Sequence, residues 1–296
     1  MNICDLRNLN QGLAECDFEF GVPDYFIAAP VDAVIPLPHL KSPFGYLREM
    51  TLETDPMKRF YPIPRDMKRV TDNSTEATKG TLDKGYSKKL AEGRFVYLFE
   101  WPSAFCGDRN VYKFDGYNGG VFLINEKGIL FGLRNEDGTL SPYISEIDVD
   151  GGAFSGSGGD VSTVKMTVDI GKKSEVVAHT MAIKLGANDR VNTLRGYRDL
   201  EILVISVATG IATVQLVTGG GENVNVYDQY SAKFGTAANW RVDGVAASAV
   251  TVDAPQKAFK ITVGTGTHEI NVAPVDVLKA ADVLGFEGIP VTVTSE

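Results

Sequence analysis

The run from Thr71 to Trp101 constrains this chain more than any other stretch. About twenty polar residues with no helical stripe lead directly into a strictly alternating strand. In that strand Phe95, Tyr97, Phe99 and Trp101 share one face, and Arg94, Val96, Leu98 and Glu100 share the other. The aromatic face is built for a core. A polar arm joined to a strong strand suits a chain that pairs with copies of itself, so the reading points to a structural assembly protein rather than an enzyme.

A chain of 296 residues is long enough for one large or two ordinary domains and can bury roughly 70% of its unfolded surface. Its three cysteines, Cys4, Cys16 and Cys106, are too few and too widely spaced for a disulfide framework or a zinc ribbon, which implies reduced thiols. Acidic residues Asp5, Glu15, Asp17, Glu19 and Asp24 crowd the start, so no secretory signal is expected there. No apolar run approaches the length of a membrane span.

The net charge of −9 is uneven: residues 1–40 carry one base and six acids, 41–113 fourteen bases and ten acids, and 199–296 five bases and eleven acids. An acidic chain repels phosphate at long range, which argues against tight sequence-independent nucleic-acid binding. A surface that lets DNA slide past would also be acidic, as would an ordinary soluble protein.

Frequent glycine and short β-branched or aromatic runs bounded by Gly, Asn, Asp and Pro are the composition of an all-β chain. Pro23, Pro30, Pro36 and Pro38 predict an extended N-terminal arm over residues 1–43. Tyr46–Thr54 reads as a strand, with Leu47, Glu49, Thr51 and Glu53 opposite Met50, Leu52 and Thr54. One short helix is expected over Ser103–Phe114, ending at Asp115-Gly116. Glycine-bearing turns at Asn125–Gly128 and Asn135–Gly138 predict hairpins. Val161–Ile170 reads as a half-buried strand with Thr163, Lys165, Thr167 and Asp169 on its wet face.

From about Gly196 aromatic residues thin out and short Val/Ile/Thr strands dominate, which suggests an immunoglobulin-like sandwich over 196–296 with one short helix within Val275–Leu284. Residues 1–195 form the other predicted domain, closed by a linker or last helix over Leu185–Tyr197.

No catalytic, cofactor-binding or metal-ligating set emerges. His39, His179 and His268 lie far apart with no partner at i+2 to i+4. Gly80–Gly85 has phosphate-loop glycine spacing, but Tyr86 stands where the lysine is needed. Gly156–Gly159 lacks the third glycine of a dinucleotide fingerprint, and Gly152–Gly156 has the wrong spacing for a nucleophile elbow. Asp148 and Asp150, with Asp160 nearby, offer hard oxygens for calcium without the twelve-residue loop pattern, and metal binding there stays open.

Five stretches together resemble the tail tube proteins of long-tailed bacteriophages, especially those infecting Bacteroidetes. They are Tyr46–Thr54, the arm Val70–Glu76, the phrase Lys89–Phe95, the helix around Ser103–Asp115 and the strand Val161–Gly171. The resemblance covers roughly half the chain, and the C-terminal part is similar to the Ig-like modules that often decorate such tubes. It implies an all-β fold, a tail-tube-type β-sandwich or barrel with one short helix and a long hairpin arm. It further implies hexameric rings of the chain, stacked into a tube and contacting other tail proteins. DNA would pass through without specific binding, and the protein would be assembled in the host cytoplasm and end in the virion tail. On this reading Glu49, Thr51, Glu53, Thr163, Lys165, Thr167 and Asp169 line a wet lumen. Asp72, Asn73, Thr75, Glu76, Lys79 and Lys84 belong to an arm that reaches a neighbouring ring. A bacterial or phage surface Ig-like adhesin or binding module is the alternative.

Overall fold

The computed structural model describes residues 3–5, 21–63, 69–81, 87–102, 111–151, 163–194, 196–219 and 224–296. The chain divides into two compact units, Met1–Arg195 and Gly196–Glu296. The fold is all-β, with a few short helices.

Unit 1 runs β1 (Ile3–Asp5), β2 (Pro23–Ala29), α1 (Pro43–Thr51), β3 (Tyr61–Pro62), β4 (Arg69–Asp72), β5 (Thr78–Thr81), β6 (Ser87–Ala91), β7 (Arg94–Pro102), β8 (Tyr117–Asn125), β9 (Ile129–Arg134), β10 (Leu140–Ser141), β11 (Tyr143–Gly151), β12 (Thr163–Lys172), α2 (Lys173–His179) and β13 (Thr180–Lys184). Among the described residues its main sheet has eleven strands, with the path β1-β13-β9-β8-β11-β12-β7-β4. Strand β8 is the branch point. Its first residues pair with β11, from Tyr117↔Ile147 to Val121↔Tyr143, whereas Leu123 and Ile124 pair with Phe131 and Leu130 of β9. Its other edge is held by β2 over Gly120–Asn125.

The two wings that diverge from β8 close on a shared core of Phe26, Leu123, Phe131, Tyr97, Phe99, Ile147, Met166 and Val168. The β8–β9–β13 wing is also covered on its far face, where Phe122, Ile124, Leu130 and Ile183 meet Leu47 and Phe60. With apolar matter on both sides, residues 119–125 are buried without interruption. The sheet does not close into a barrel: among the described residues β1 and β4 end its main path, and β3 ends the branch that leaves β8 through β2.

Two expectations are corrected here. Tyr46–Thr54 is not a strand, because Pro43, Leu47 and Thr51 recur at i, i+4 and i+8 and all three are buried on one side of α1, with proline in the first turn. The period-two alternation of Leu47, Glu49, Thr51 and Glu53 is coincidental. Within the expected arm over 1–43, the described residues 21–43 are not detached, because Phe26–Ala29 forms a buried run in β2 with Pro23 as its first residue, the position where a strand tolerates proline; residues 6–20 lie outside the described residues. The expected strand Arg94–Trp101 is present as β7 and runs one residue further, to Pro102, which pairs with Thr163. Residues 103–110 of the expected helix lie outside the described residues. Its end does form a turn, with the Phe114 N–H donating to Val111 O at 3.0 Å.

Unit 2 comprises β14 (Arg198–Ala208), β15 (Ile211–Thr218), α3 (Tyr227–Phe234), β16 (Trp240–Val242), β17 (Val245–Ala246), β18 (Val250–Asp253), β19 (Ala258–Thr262), β20 (Gly266–Val272), α4 (Val275–Ala280), β21 (Phe286–Gly288) and β22 (Val291–Ser295). One sheet has the order β18-β19-β15-β14-β21 and the other β17-β16-β20-β22. In immunoglobulin lettering these are D-E-B-A and C′-C-F-G, with β21 added in parallel to the first strand. Strand C carries Trp240, fully buried, where immunoglobulin domains place their core tryptophan. Unit 2 contains no cysteine, so the inter-sheet disulfide is replaced by apolar contact among Val214, Leu216, Phe259, Ile270 and Val272. Helix α3, which the sequence reading missed, follows an apolar stripe of Tyr227, Tyr230 and Phe234 and sets Phe234 edge-on to Trp240 at 6.0 Å.

Candidate assembly surface

The strands β7, β11 and β12 each bury one face, and the polar residues among them gather on the other, which β4 extends at the margin. Register places Lys165 of β12 between Glu100 of β7 and Asp150 of β11, Thr167 between Leu98 and Asp148, and Asp169 between Val96 and Glu146. Arg69 lies opposite Glu100 at the margin. The result is a wet face in which acids outnumber bases. Cross-strand neighbours of opposite sign favour this register, whereas Asp169 beside Glu146 sets like charges together.

Arg94 offsets that repulsion. Its Nε donates to Asp169 Oδ2 at 2.6 Å, and the Asp169 Oδ1 accepts from the Gly171 N–H at 2.8 Å across a bulge. This hydrogen bond to the carboxylate raises the guanidinium's pKa further above its ordinary value, against a smaller opposing effect of desolvation. Both side chains are partly exposed, so the pair is worth about 0.2–1 kcal/mol. Beyond Arg94 a cleft of about 550 Å³ opens towards α2, with Arg134, Lys172, Glu175 and His179 around a floor of Tyr143, Ile170 and Val176.

The arm is a hairpin. After β4, the Asn73 and Thr75 N–H groups donate to Val96 O and Arg94 O, each at 2.9 Å. The Thr75 and Ser74 hydroxyls accept from the Arg94 and Val96 N–H groups. Residues 73–75 therefore continue the pairing of β4 along β7. Past Gly93, β5 and β6 pair only with each other among the described residues, in the register Lys79↔Lys89 and Gly80↔Lys88.

Helix α2 clamps the base of this hairpin. Lys173 Nζ meets Glu76 Oε1 at 2.7 Å and lies 5.5 Å from the centre of the Phe95 ring, and its N–H donates to Gly93 O at 2.9 Å. The Ser174 hydroxyl donates to Glu92 Oε2 at 2.6 Å, and Lys89 also donates to the Glu92 carboxylate. Those two bonds hold the Glu92 pKa below the usual carboxylate value. At Gly93 a Cβ would fall 2.3 Å from Thr75 O, so the close approach of the two strands requires glycine.

Of the residues read as lumen-facing, Thr163, Lys165, Thr167 and Asp169 share the wet face. Glu49, Thr51 and Glu53 do not belong to it: Glu49 is on the solvent side of α1, Thr51 is fully buried beneath it, and the Glu53 carboxylate accepts from Thr54 and Asp55 in the loop beyond. Of the arm residues, Asp72, Asn73, Thr75 and Glu76 form the strap and clamp, Lys79 is on the hairpin, and Lys84 lies outside the described residues. The reading assigned no surface role to Glu146, Asp148 and Asp150, although the alternation of Tyr143–Asp150 was there to find. The Asp150 carboxylate accepts from the Gly151 N–H at 2.7 Å. Among the described residues no group of three metal-ligating side chains could hold an ion, and no helix is long and apolar enough to cross a membrane. The glycine-rich segments at 152–159, together with Asp160, lie outside the described residues.

No protein-family model matches the chain, and a search of curated proteins finds no match.

Proposed function

We propose that the chain is a self-assembling structural protein of a bacteriophage tail tube: unit 1 joins copies of itself into rings around a hydrophilic bore, and unit 2 is an Ig-like decoration domain. The observation that carries this reading is the open margin of the main sheet. β4 pairs with β7 on one side and with no strand on the other among the described residues, and such an edge seeks a partner. Pairing that margin with the opposite margin of the next copy is a head-to-tail contact, which closes a ring when the rotation permits. The wet face supports the bore because Glu146, Asp148 and Asp150 would repel sliding phosphates, and the hairpin, extending beyond its sheet, supports contact between rings.

Negative-stain microscopy of the purified chain tests the reading. Rings or tubes with a central hole are expected, and replacing Thr78–Ala91 by a short Gly-Ser turn is expected to leave soluble protein that no longer stacks. Uniform monomers at high concentration would overturn it. The immunoglobulin strand order of unit 2 favours a second reading, a surface binding module, for which monomers would be the expected state.

A further inference from the structure

In unit 1 a groove of about 690 Å³ runs between the turn after β2, the loop before β3 and the start of β8, with Tyr61, Phe114 and Tyr117 in its wall. The rings meet edge to face, Tyr61 to Phe114 at 6.2 Å and Phe114 to Tyr117 at 6.0 Å. Both phenols are committed: Tyr61 donates to Pro56 O at 3.0 Å and Tyr117 to Ala29 O at 2.6 Å. With their hydroxyl tips tied to backbone and Tyr117 folded over Gly119, these rings are fixed in place while remaining half-exposed. Such anchoring lowers the entropy cost of binding.

The rim supplies polar groups of mixed character, Asp32, Lys58 and Asn118, beside the rings. Lys58 makes a loose surface pair with Asp55 at 3.7 Å. Apolar faces with hydrogen-bonding groups at their edges match the chemistry of a pyranose, which presents C–H groups on its face and hydroxyls around its equator. Asn118 Nδ2 donates to Gly116 O at 3.3 Å, and a purely apolar protein segment would desolvate these rim groups without offering them any further hydrogen-bond partner.

We propose that this groove binds an oligosaccharide, with sugar faces on Phe114 and Tyr61 and hydroxyls met by Asp32 and Asn118. The volume falls within the usual range for ligand sites. This inference stands apart from ring assembly, since it would hold for a monomer.

The test is calorimetric titration of the full chain with three probes: maltoheptaose, chitotetraose and an oligogalacturonate. Saturable one-to-one binding of at least one probe is expected. Phe114→Ala should weaken it about tenfold, the upper range for one aromatic contact. Asp32→Ala, at an exposed rim position, should weaken it several-fold with an unchanged melting curve, and it decides the matter if Phe114→Ala fails to fold. No saturable binding of any probe up to about 10 mM, or binding that Asp32→Ala leaves unchanged, would overturn the proposal. So would a shift in sedimentation caused by Asp32→Ala, because the groove would then be a contact between copies.

Discussion

The phenol of Tyr143 and the hydroxyl of Thr180, both shut away from solvent, lie 2.9 Å apart, and Thr180 in turn donates to Val176 O at 2.6 Å. Because the Thr180 proton is committed to Val176, the phenol is the donor between the two. Burial pushes the Tyr143 pKa far above the ordinary tyrosine value, so the phenol keeps that proton.

This direction makes the two obvious substitutions unequal. Tyr143→Phe removes the donor and leaves Thr180 bonded, at a cost of about 1 kcal/mol; Thr180→Val strands a buried phenol and should cost about 1–3 kcal/mol. Urea unfolding of the two variants checks the order.

Leu47 is fully buried on α1, whereas Glu49 two residues later is exposed. Leu47→Ala should lose about 2–5 kcal/mol, and Glu49→Lys should stay within about 0.5 kcal/mol. If instead both positions proved sensitive, or neither did, the helical placement of this segment would be wrong. Thermal unfolding suffices as the measurement.

At the base of the hairpin, Gly93→Ala should force apart the strands that meet at Thr75. A loss of about 1–3 kcal/mol is expected. Hydrogen exchange should report it locally, as faster exchange at the Asn73 and Thr75 amides with β8 unaffected.

His268 joins two turns of unit 2, with Nδ1 2.7 Å from Asp243 Oδ2 and Nε2 3.2 Å from Thr265 O. Both nitrogens donate only when the ring is protonated. Hydrogen bonding to Asp243, then to Thr265, raises the histidine pKa above 6.5, and the bond from His268 lowers that of Asp243 below 3.8. The histidine contribution to stability is therefore complete below about pH 6.5 and disappears as pH rises through its elevated folded value. The aspartate contribution is present above about pH 3.8 and disappears as pH falls through its depressed folded value. NMR titration of the His268 ring should give a value above the ordinary one in the native chain, returning towards it in Asp243→Asn.

Much of this fold could be read from residue order where one periodicity stood alone. The aromatic face of β7, the wet face of β12 and the hairpins at Gly128 and Gly138 were legible because a single alternation or a single glycine turn governed each. Residues 43–51 carried two periodicities at once, and only the surface against which they pack selects the helical one. β2 was obscured by the prolines around it, since their count says nothing about which side of the strand they interrupt. The wet face was half visible: β12 announced itself, but its union with Glu146, Asp148 and Asp150 depends on register between strands, which one strand alone does not encode.

Strand β8 has Phe122 and Ile124 in one apolar cluster and Leu123 in the other. A single stretch of backbone thus serves as a common wall, and neither compartment can be remodelled without the other registering the strain. Sequence drift under α1 would be transmitted towards the sheet that carries the acidic row, so evolution must tune the two interiors together.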